Sequence, residues 1–133
     1  MLFRSLYVSC WGTGDFKRYD VSDPFHPKLT GNVRLGGITS HGAHPASGPL
    51  NGGPQMVEVS RDGKRVYVSN SLYASWDAQF YPEGVQGWVA KFDAPEDGSL
   101  HLDPQFFLEF DGERPHQIRL QGGDASSDTF CYP

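Results

Sequence analysis

The sequence lacks several features that would place a protein in a familiar class. It has only two cysteines among 133 residues and no CxxC spacing, so neither a disulfide scaffold nor a structural zinc site is expected. No apolar run approaches the roughly 20 residues of a membrane span, and residues 1–11 hold no apolar stretch long enough for a signal peptide. No basic run accompanies the net charge of −5, which disfavours nucleic acid and anionic lipid as partners.

Helical patterning is also missing, because no window of ten or more residues shows an apolar stripe of helical period. Glycine and proline are abundant instead, with 16 and 10 residues, and aromatic residues make up 14% of the chain. Many turns and little helix are therefore expected, and the aromatic content argues against disorder. The length suits one domain, and the predicted class is all-β.

Alternating apolar residues predict a hairpin in the middle of the chain. Val57 and Val59 fall on one face of a strand over residues 55–60. An Asp-Gly pair follows, which is a strong hairpin signal because glycine tolerates positive φ, and residues 65–70 resume the strand. Further strands are predicted over residues 6–10, 16–21, 29–35, 87–92, 106–110 and 117–120.

Two stretches without a strand pattern are predicted to be loops. They cover residues 36–54 and 73–84, the second with a single helical turn at 75–80. Loops of this length usually carry function or cover a site. His41 and His44 lie in the first loop, where we interpret them as solvated.

A short repeat indicates the architecture. The tripeptide Tyr-Val-Ser at positions 7–9 recurs at 67–69, 60 residues later, and residues 127–132 give a weaker third echo. A strand and a tight turn precede the second and third copies, whereas the first copy has no inner strand before it. Four short strands with a glycine-bearing first hairpin are typical of a β-propeller blade.

We therefore predict a partial β-propeller of about two blades. Residues 1–35 form a blade without its first strand, residues 36–54 a loop, residues 55–110 a complete blade, and residues 116–133 the first strands of a closing blade. Because a closed propeller needs at least about four blades, we expect a fragment from the C-terminal end of a larger propeller. The alternative is a small stand-alone β-sandwich.

Three stretches carry a family resemblance: LYVSCWGTGDFKRYDVSDPFHPKLTGNVRLGG, GGPQMVEVSRDGKRVYVSNSLYASWDAQFYPEG and HQIRLQGGDASSD. In this order they resemble the selenium-binding protein family, the group that includes methanethiol oxidases. The resemblance covers the chain from residue 6 onward, with residue choices closer to bacterial than to animal members.

The resemblance implies a propeller of about seven blades, with this chain as its last third and the upstream blades as its partners. Some members oxidise methanethiol, a small thiol, with O2 and water to formaldehyde, hydrogen sulfide and hydrogen peroxide, and are thought to use copper. Others are described mainly as selenium binders. The cysteine motif linked to selenium lies upstream in the family, so that role does not transfer to Cys10 or Cys131, which we interpret as buried thiols.

His116 is the candidate metal ligand. It opens the predicted strand at 117–120, and the ends of inner strands face the central channel of a propeller. Imidazole suits copper, and the HQIRL motif matches a position of suspected histidine ligands in the family. Gln55 begins an inner strand in the same way and is expected to face the same channel. A hydrogen bond from His116 to a backbone carbonyl is the structural alternative.

The other polar residues are interpreted as structural. The GxSxG motif is absent, so no Ser-His-Asp arrangement is predicted, and the catalytic residues stay unknown. His26 is placed in a turn and His101 in a polar connector. An acidic turn that hydrogen-bonds backbone amides is expected at Asp124, Ser126, Ser127 and Asp128. A packed loop that covers one face of the propeller, or narrows access to its channel, is expected at Trp76, Asp77, Phe80 and Tyr81.

These expectations lead to two functional hypotheses. The first is the C-terminal part of a copper-dependent methanethiol oxidase, inactive as a fragment because the remaining ligands would lie upstream. The second is a non-catalytic propeller that binds selenium or protein partners. The sequence indicates a soluble protein and gives no compartment, periplasmic or cytoplasmic.

Overall fold

The computed structural model describes residues 4–39, 41–44, 48–70 and 73–122. The strands within them are β1 (Ser5–Cys10), β2 (Asp15–Asp20), β3 (Lys28–Arg34), β4 (Gly42–His44), β5 (Gly48–Leu50), β6 (Met56–Val59), β7 (Arg65–Ser69), β8 (Gly87–Asp93) and β9 (His101–Phe110), with the helix α1 (Ala74–Phe80) between β7 and β8. They form a three-stranded sheet, β1-β2-β3, a two-stranded sheet, β4-β5, and a four-stranded sheet, β6-β7-β8-β9. All pairings are antiparallel. The all-β prediction is confirmed, and the open sheets agree with part of a propeller.

The hairpin predicted from the Asp-Gly pair joins β6 to β7. Gly63 adopts a φ of 72°, which a residue with a side chain rarely adopts. The Asp62 carboxylate accepts hydrogen bonds from the Lys64 amide, at 2.9 Å, and from the Ser60 hydroxyl, at 2.5 Å. The turn chemistry therefore fixes the register in which Val57 pairs with Val68.

The two larger sheets pack against each other through a shared core. The rings of Phe16 on β2 and Phe92 on β8 lie 4.8 Å apart and are fully buried. Arg18 on β2 crosses the same boundary, donating to the carbonyls of Pro95 at 2.7 Å and Ser99 at 2.8 Å. The core consists of Phe16, Leu35, Leu50, Val66, Val68, Trp88, Ala90, Phe92, Ala94 and Leu100.

Four details differ from the sequence-based expectations. The loop predicted at 36–54 contains the short hairpin β4–β5, paired from Gly42 with Leu50 to His44 with Gly48. Strand β9 begins at His101 rather than at 106, because residues beyond its bulge still pair with β8. Helix α1 spans seven residues rather than one turn.

The fourth difference is the strand predicted at 117–120, which does not form. A strand requires a hydrogen-bonded neighbour, and none pairs with this segment among the described residues. Its expected partner, residues 127–132, lies outside that part of the chain. Among the residues described, no helix is long and apolar enough to cross a membrane.

Candidate functional site

An open cavity of about 380 Å³ lies beside the first strand of the four-stranded sheet. Its walls come from the entry to β6, the residue before α1, and the segment after β9; they are Gln55, Met56, Tyr73, His116 and Gln117. His116 is exposed, and its ring lies 6.3 Å from the ring of Tyr73. The structure thus brings the two channel-facing candidates, Gln55 and His116, to one cavity.

The repeat explains how both residues reach this cavity. Tyr7 pairs with Arg18 in the three-stranded sheet, and Tyr67 pairs with Lys91 in the four-stranded sheet, so the tyrosine of each Tyr-Val-Ser copy lies opposite a basic residue of the next strand. In the first copy the Ser9 hydroxyl donates to the carbonyl of Gln55 at 2.7 Å.

The second copy repeats this contact one unit further along the chain. The Ser69 hydroxyl donates to the carbonyl of His116, at a longer distance of 3.5 Å. Each repeat therefore fixes, through its serine, the residue that enters the following unit. Gln55 and His116 occupy equivalent positions.

An ion pair ties α1 to the segment that carries His116. Asp77, on α1, is 1% exposed, and its Oδ2 lies 3.5 Å from Nε of Arg114. Arg114 also donates to the carbonyl of Val85. Burial raises the pKa of the Asp77 carboxyl, although the positive charge of Arg114 opposes the shift. The pair therefore holds the helix and the residues before His116 together.

Two glycines allow the backbone to approach closely at the edges of this region. A Cβ on Gly87, at the start of β8, would lie 2.1 Å from the carbonyl oxygen of Glu113. A Cβ on Gly53 would lie 2.0 Å from the carbonyl oxygen of Trp11. Both distances are far below a van der Waals contact, so only glycine fits. These crossings set the paths of the chain into Gln55 and His116.

Four buried side-chain atoms have no hydrogen-bond partner among the described residues. They are Gln55 Oε1, Asp77 Oδ2, Tyr81 Oη and Trp11 Nε1. Burial also raises the pKa of the Tyr81 hydroxyl. Buried polar groups are normally paired in native proteins. Asp77 Oδ2 still lies within the ion pair with Arg114, and of these four residues Gln55 is the one that lines the cavity.

The described residues fit a copper site only in part. His116 has an accessible imidazole, a ligand that copper favours. However, the described part of the chain contains no group of three or more His, Cys, Asp or Glu side chains that could hold a metal ion. These residues therefore supply one candidate ligand and not a complete coordination sphere.

His26, His41 and His101 are not among the residues that line the cavity. His26 hydrogen-bonds Asp23 in an exposed turn at 2.7 Å, as expected for a turn residue. His101 lies on β9 instead of in the predicted connector, with Nε2 2.9 Å from the Ser99 hydroxyl. His41 is exposed and donates from Nδ1 to the carbonyl of Leu50 at 3.3 Å. His44 ends the short strand β4.

The residues predicted to form a packed aromatic loop lie on helix α1 or, for Tyr81, directly after it. Asp77 and Tyr81 are buried, whereas Trp76 and Phe80 are about half exposed, at 53% and 48%. Cys10 is half-buried at the end of β1. The acidic turn at 124–128 and Cys131 lie outside the described residues.

Sequence reasoning missed the roles of Ser9, Ser69 and Arg114. The serines carry a usable signal, since they close both copies of the repeated tripeptide and thus invite the same structural role. Arg114 gives no such signal, because its partner on α1 is distant along the chain and a helix-facing carboxylate cannot be read from local pattern.

Comparison with known proteins supports the resemblance noted from the motifs. The family model for the 56kDa selenium binding protein (SBP56) matches residues 2–131. Methanethiol oxidases of Xenopus tropicalis and Homo sapiens are 39% and 38% identical to this chain, and selenium-binding protein 3 of Arabidopsis thaliana is 39% identical. Each match covers 96% of this chain but 32% of the relative, so the chain spans about a third of their length.

A solved structure gives the same answer for the fold. The X-ray structure of a hypothetical selenium-binding protein from Sulfolobus tokodaii superposes with a TM-score of 0.88 and 57% sequence identity, over 98% of this chain and 29% of that protein. The match along nearly the whole chain, in sequence and in three dimensions, leads to one conclusion. The chain belongs to the 56kDa selenium binding protein family.

Proposed function

We propose that this chain contributes one wall of the active site of a methanethiol oxidase-type protein. In the full-length protein, methanethiol, O2 and water would be converted to formaldehyde, hydrogen sulfide and hydrogen peroxide. The observation that carries the proposal is the accessible imidazole of His116 in a cavity it shares with Gln55 and Met56. Relatives named methanethiol oxidase support it.

His116 would be one ligand of a copper ion, with the others supplied by the rest of the full-length protein. Copper held there would supply the redox chemistry for oxidation of the thiol, and the imidazole of His116 is a ligand type that suits it. The other residues of this chain would shape and hold the site. Met56 and Tyr73 give the cavity an apolar part that suits a methyl group, and the pair of Asp77 and Arg114 holds the His116 segment in place.

The test is metal analysis of the full-length parent with and without His116→Ala. We expect stoichiometric copper and methanethiol-dependent release of hydrogen peroxide in the parent, and loss of both in the variant. The isolated chain should retain copper weakly and show no thiol oxidation. A metal-free but active parent, or an unaffected His116→Ala variant, would overturn the proposal.

The second candidate function is a non-catalytic protein that binds selenium or protein partners. Relatives named selenium-binding protein favour it. In that case the full-length parent would bind a selenium compound without releasing peroxide from methanethiol. The same assay, repeated with selenite, separates the two candidates.

A further inference from the structure

The equivalence of Gln55 and His116 has a chemical consequence for the site. Each has a backbone carbonyl that accepts a hydrogen bond from the serine hydroxyl of one Tyr-Val-Ser copy. Both residues line the same cavity. A repeat that builds one backbone position twice also delivers two side chains to one place. The cavity is therefore formed by successive repeats rather than by His116 alone.

Gln55 has a further property that a purely structural residue would not need. Its Oε1 is buried and has no hydrogen-bond partner among the described residues, although the residue lines an open cavity. An unpaired buried acceptor costs free energy unless something satisfies it. A rotation of the Gln55 amide would turn this oxygen toward the cavity, where the donor hydrogen of a small ligand would pair with it.

We infer that Gln55 is a ligand-contacting residue of the His116 cavity, brought to the same cavity as the imidazole by the repeat. Its amide would accept a hydrogen bond from a small donor ligand, such as the S–H group of a thiol, while His116 holds the other side of the site. The identity of the ligand rests on the proposed function; the shared position of the two side chains does not.

The test measures whether a second imidazole in the cavity increases the affinity of this chain for Cu(II). Gln55→His would place two imidazoles on one cavity, and two ligands held close together bind one ion more tightly than either alone. We expect Gln55→His to bind Cu(II) at least about tenfold more tightly than the native chain, measured by calorimetric titration. The gain should disappear in Gln55→His combined with His116→Ala.

Two further variants make the result specific. Asn32→His places an imidazole at an exposed amide position on β3, and it should give no comparable gain. Gln55→Glu, close in shape to the native residue, should also raise the affinity because a carboxylate can ligate copper. Folded Gln55→His and Gln55→Glu variants that bind Cu(II) no better than Asn32→His would overturn the inference.

The outcome is separable from that of the proposed function. Tighter Cu(II) binding by Gln55→His together with a metal-free parent would support the shared cavity and contradict the oxidase proposal. No gain, together with a copper-containing parent, would keep the oxidase and remove Gln55 from its site.

Discussion

The three-stranded and four-stranded sheets each contain one copy of the Tyr-Val-Ser tripeptide, and they differ in two places. Within the described residues, β1 has β2 as its only sheet neighbour, whereas β7 lies between β6 and β8. The central valine of the tripeptide is buried to a different extent in the two sheets: Val68 is 0% exposed, while Val8 is only half-buried. The same three residues thus face different surroundings according to whether a first strand is present.

The second difference is the connection to the following strand. Residues 11–14 join β1 to β2, whereas residues 70–86 join β7 to β8 and include α1. The longer connection brings Tyr73 and Asp77 toward the His116 segment. The strands therefore carry the architecture common to both copies, and an enlarged connection makes one copy part of a site.

The largest expected effect comes from Gly87, where the start of β8 crosses the segment that leads to His116. Gly87→Ala puts a Cβ 2.1 Å from the carbonyl oxygen of Glu113, so the backbone must shift, and we expect a loss of about 3 kcal/mol in the free energy of unfolding. Gly12→Ala is the matched control, because a Cβ there meets nothing within 4 Å. Equal urea midpoints for the two variants would refute the crossing.

A pair of valines tests the burial difference directly. Val68→Ala should cost about 2–3 kcal/mol because the side chain is fully buried in the core. Val8→Ala, at the equivalent position of β1, should cost about 1 kcal/mol. Urea unfolding followed by tryptophan fluorescence measures both values, and a larger cost at Val8 would contradict the comparison of the two sheets.

Arg18 and Lys91 are the equivalent basic residues opposite the two tyrosines. Arg18 is buried and donates to the carbonyls of Pro95 and Ser99 across the sheet boundary, and to Ser5 within its own sheet, so Arg18→Met should cost about 2 kcal/mol. Lys91→Met loses chiefly an ion pair with Asp103, which should cost about 1 kcal/mol or less. Urea unfolding measures both losses of stability, and a larger loss in Lys91→Met than in Arg18→Met would contradict the prediction.

The smallest effect is a pH dependence at Asp77. Its pKa in the folded protein lies above the ordinary 3.8, so the stability it contributes is complete below that value and is lost as the pH rises through the folded pKa. The native chain should therefore lose stability relative to Asp77→Asn as the pH rises through the acidic range.

Asp62 provides a control of opposite sign. Hydrogen bonds from Ser60 and from the Lys64 amide lower the pKa of its carboxyl, so its contribution is lost as the pH falls. The native chain should gain stability relative to Asp62→Asn as the pH rises. Parallel slopes for the two variants would show that Asp77 is not destabilised by burial.

Local chemistry explains which parts of this fold the sequence could predict. The Asp62-Gly63 turn and the Tyr-Val-Ser copies depend on residues next to each other in the chain, and both were predicted in place. The start of β9 was missed because Asp103 and Pro104 interrupt the alternation, while pairing with β8 extends the strand beyond its bulge.

Helix α1 shows why the site was harder to predict. It buries Asp77 and leaves Trp76 and Phe80 half exposed, the reverse of an amphipathic helix in water. The charged partner of Asp77 there is Arg114, which is distant along the chain. His116 and Gln55 were placed on one channel by strand position, but the serine contacts that fix them became visible only in three dimensions.

The most direct test of the account is an NMR titration of the native chain with Cu(II), a paramagnetic ion that broadens the signals of nearby nuclei. If successive repeats present Gln55 and His116 to one cavity, the His116 ring and the Gln55 side-chain amide will broaden first and together. Earlier broadening at His26, His41 or His101, with the Gln55 amide unaffected, would contradict it.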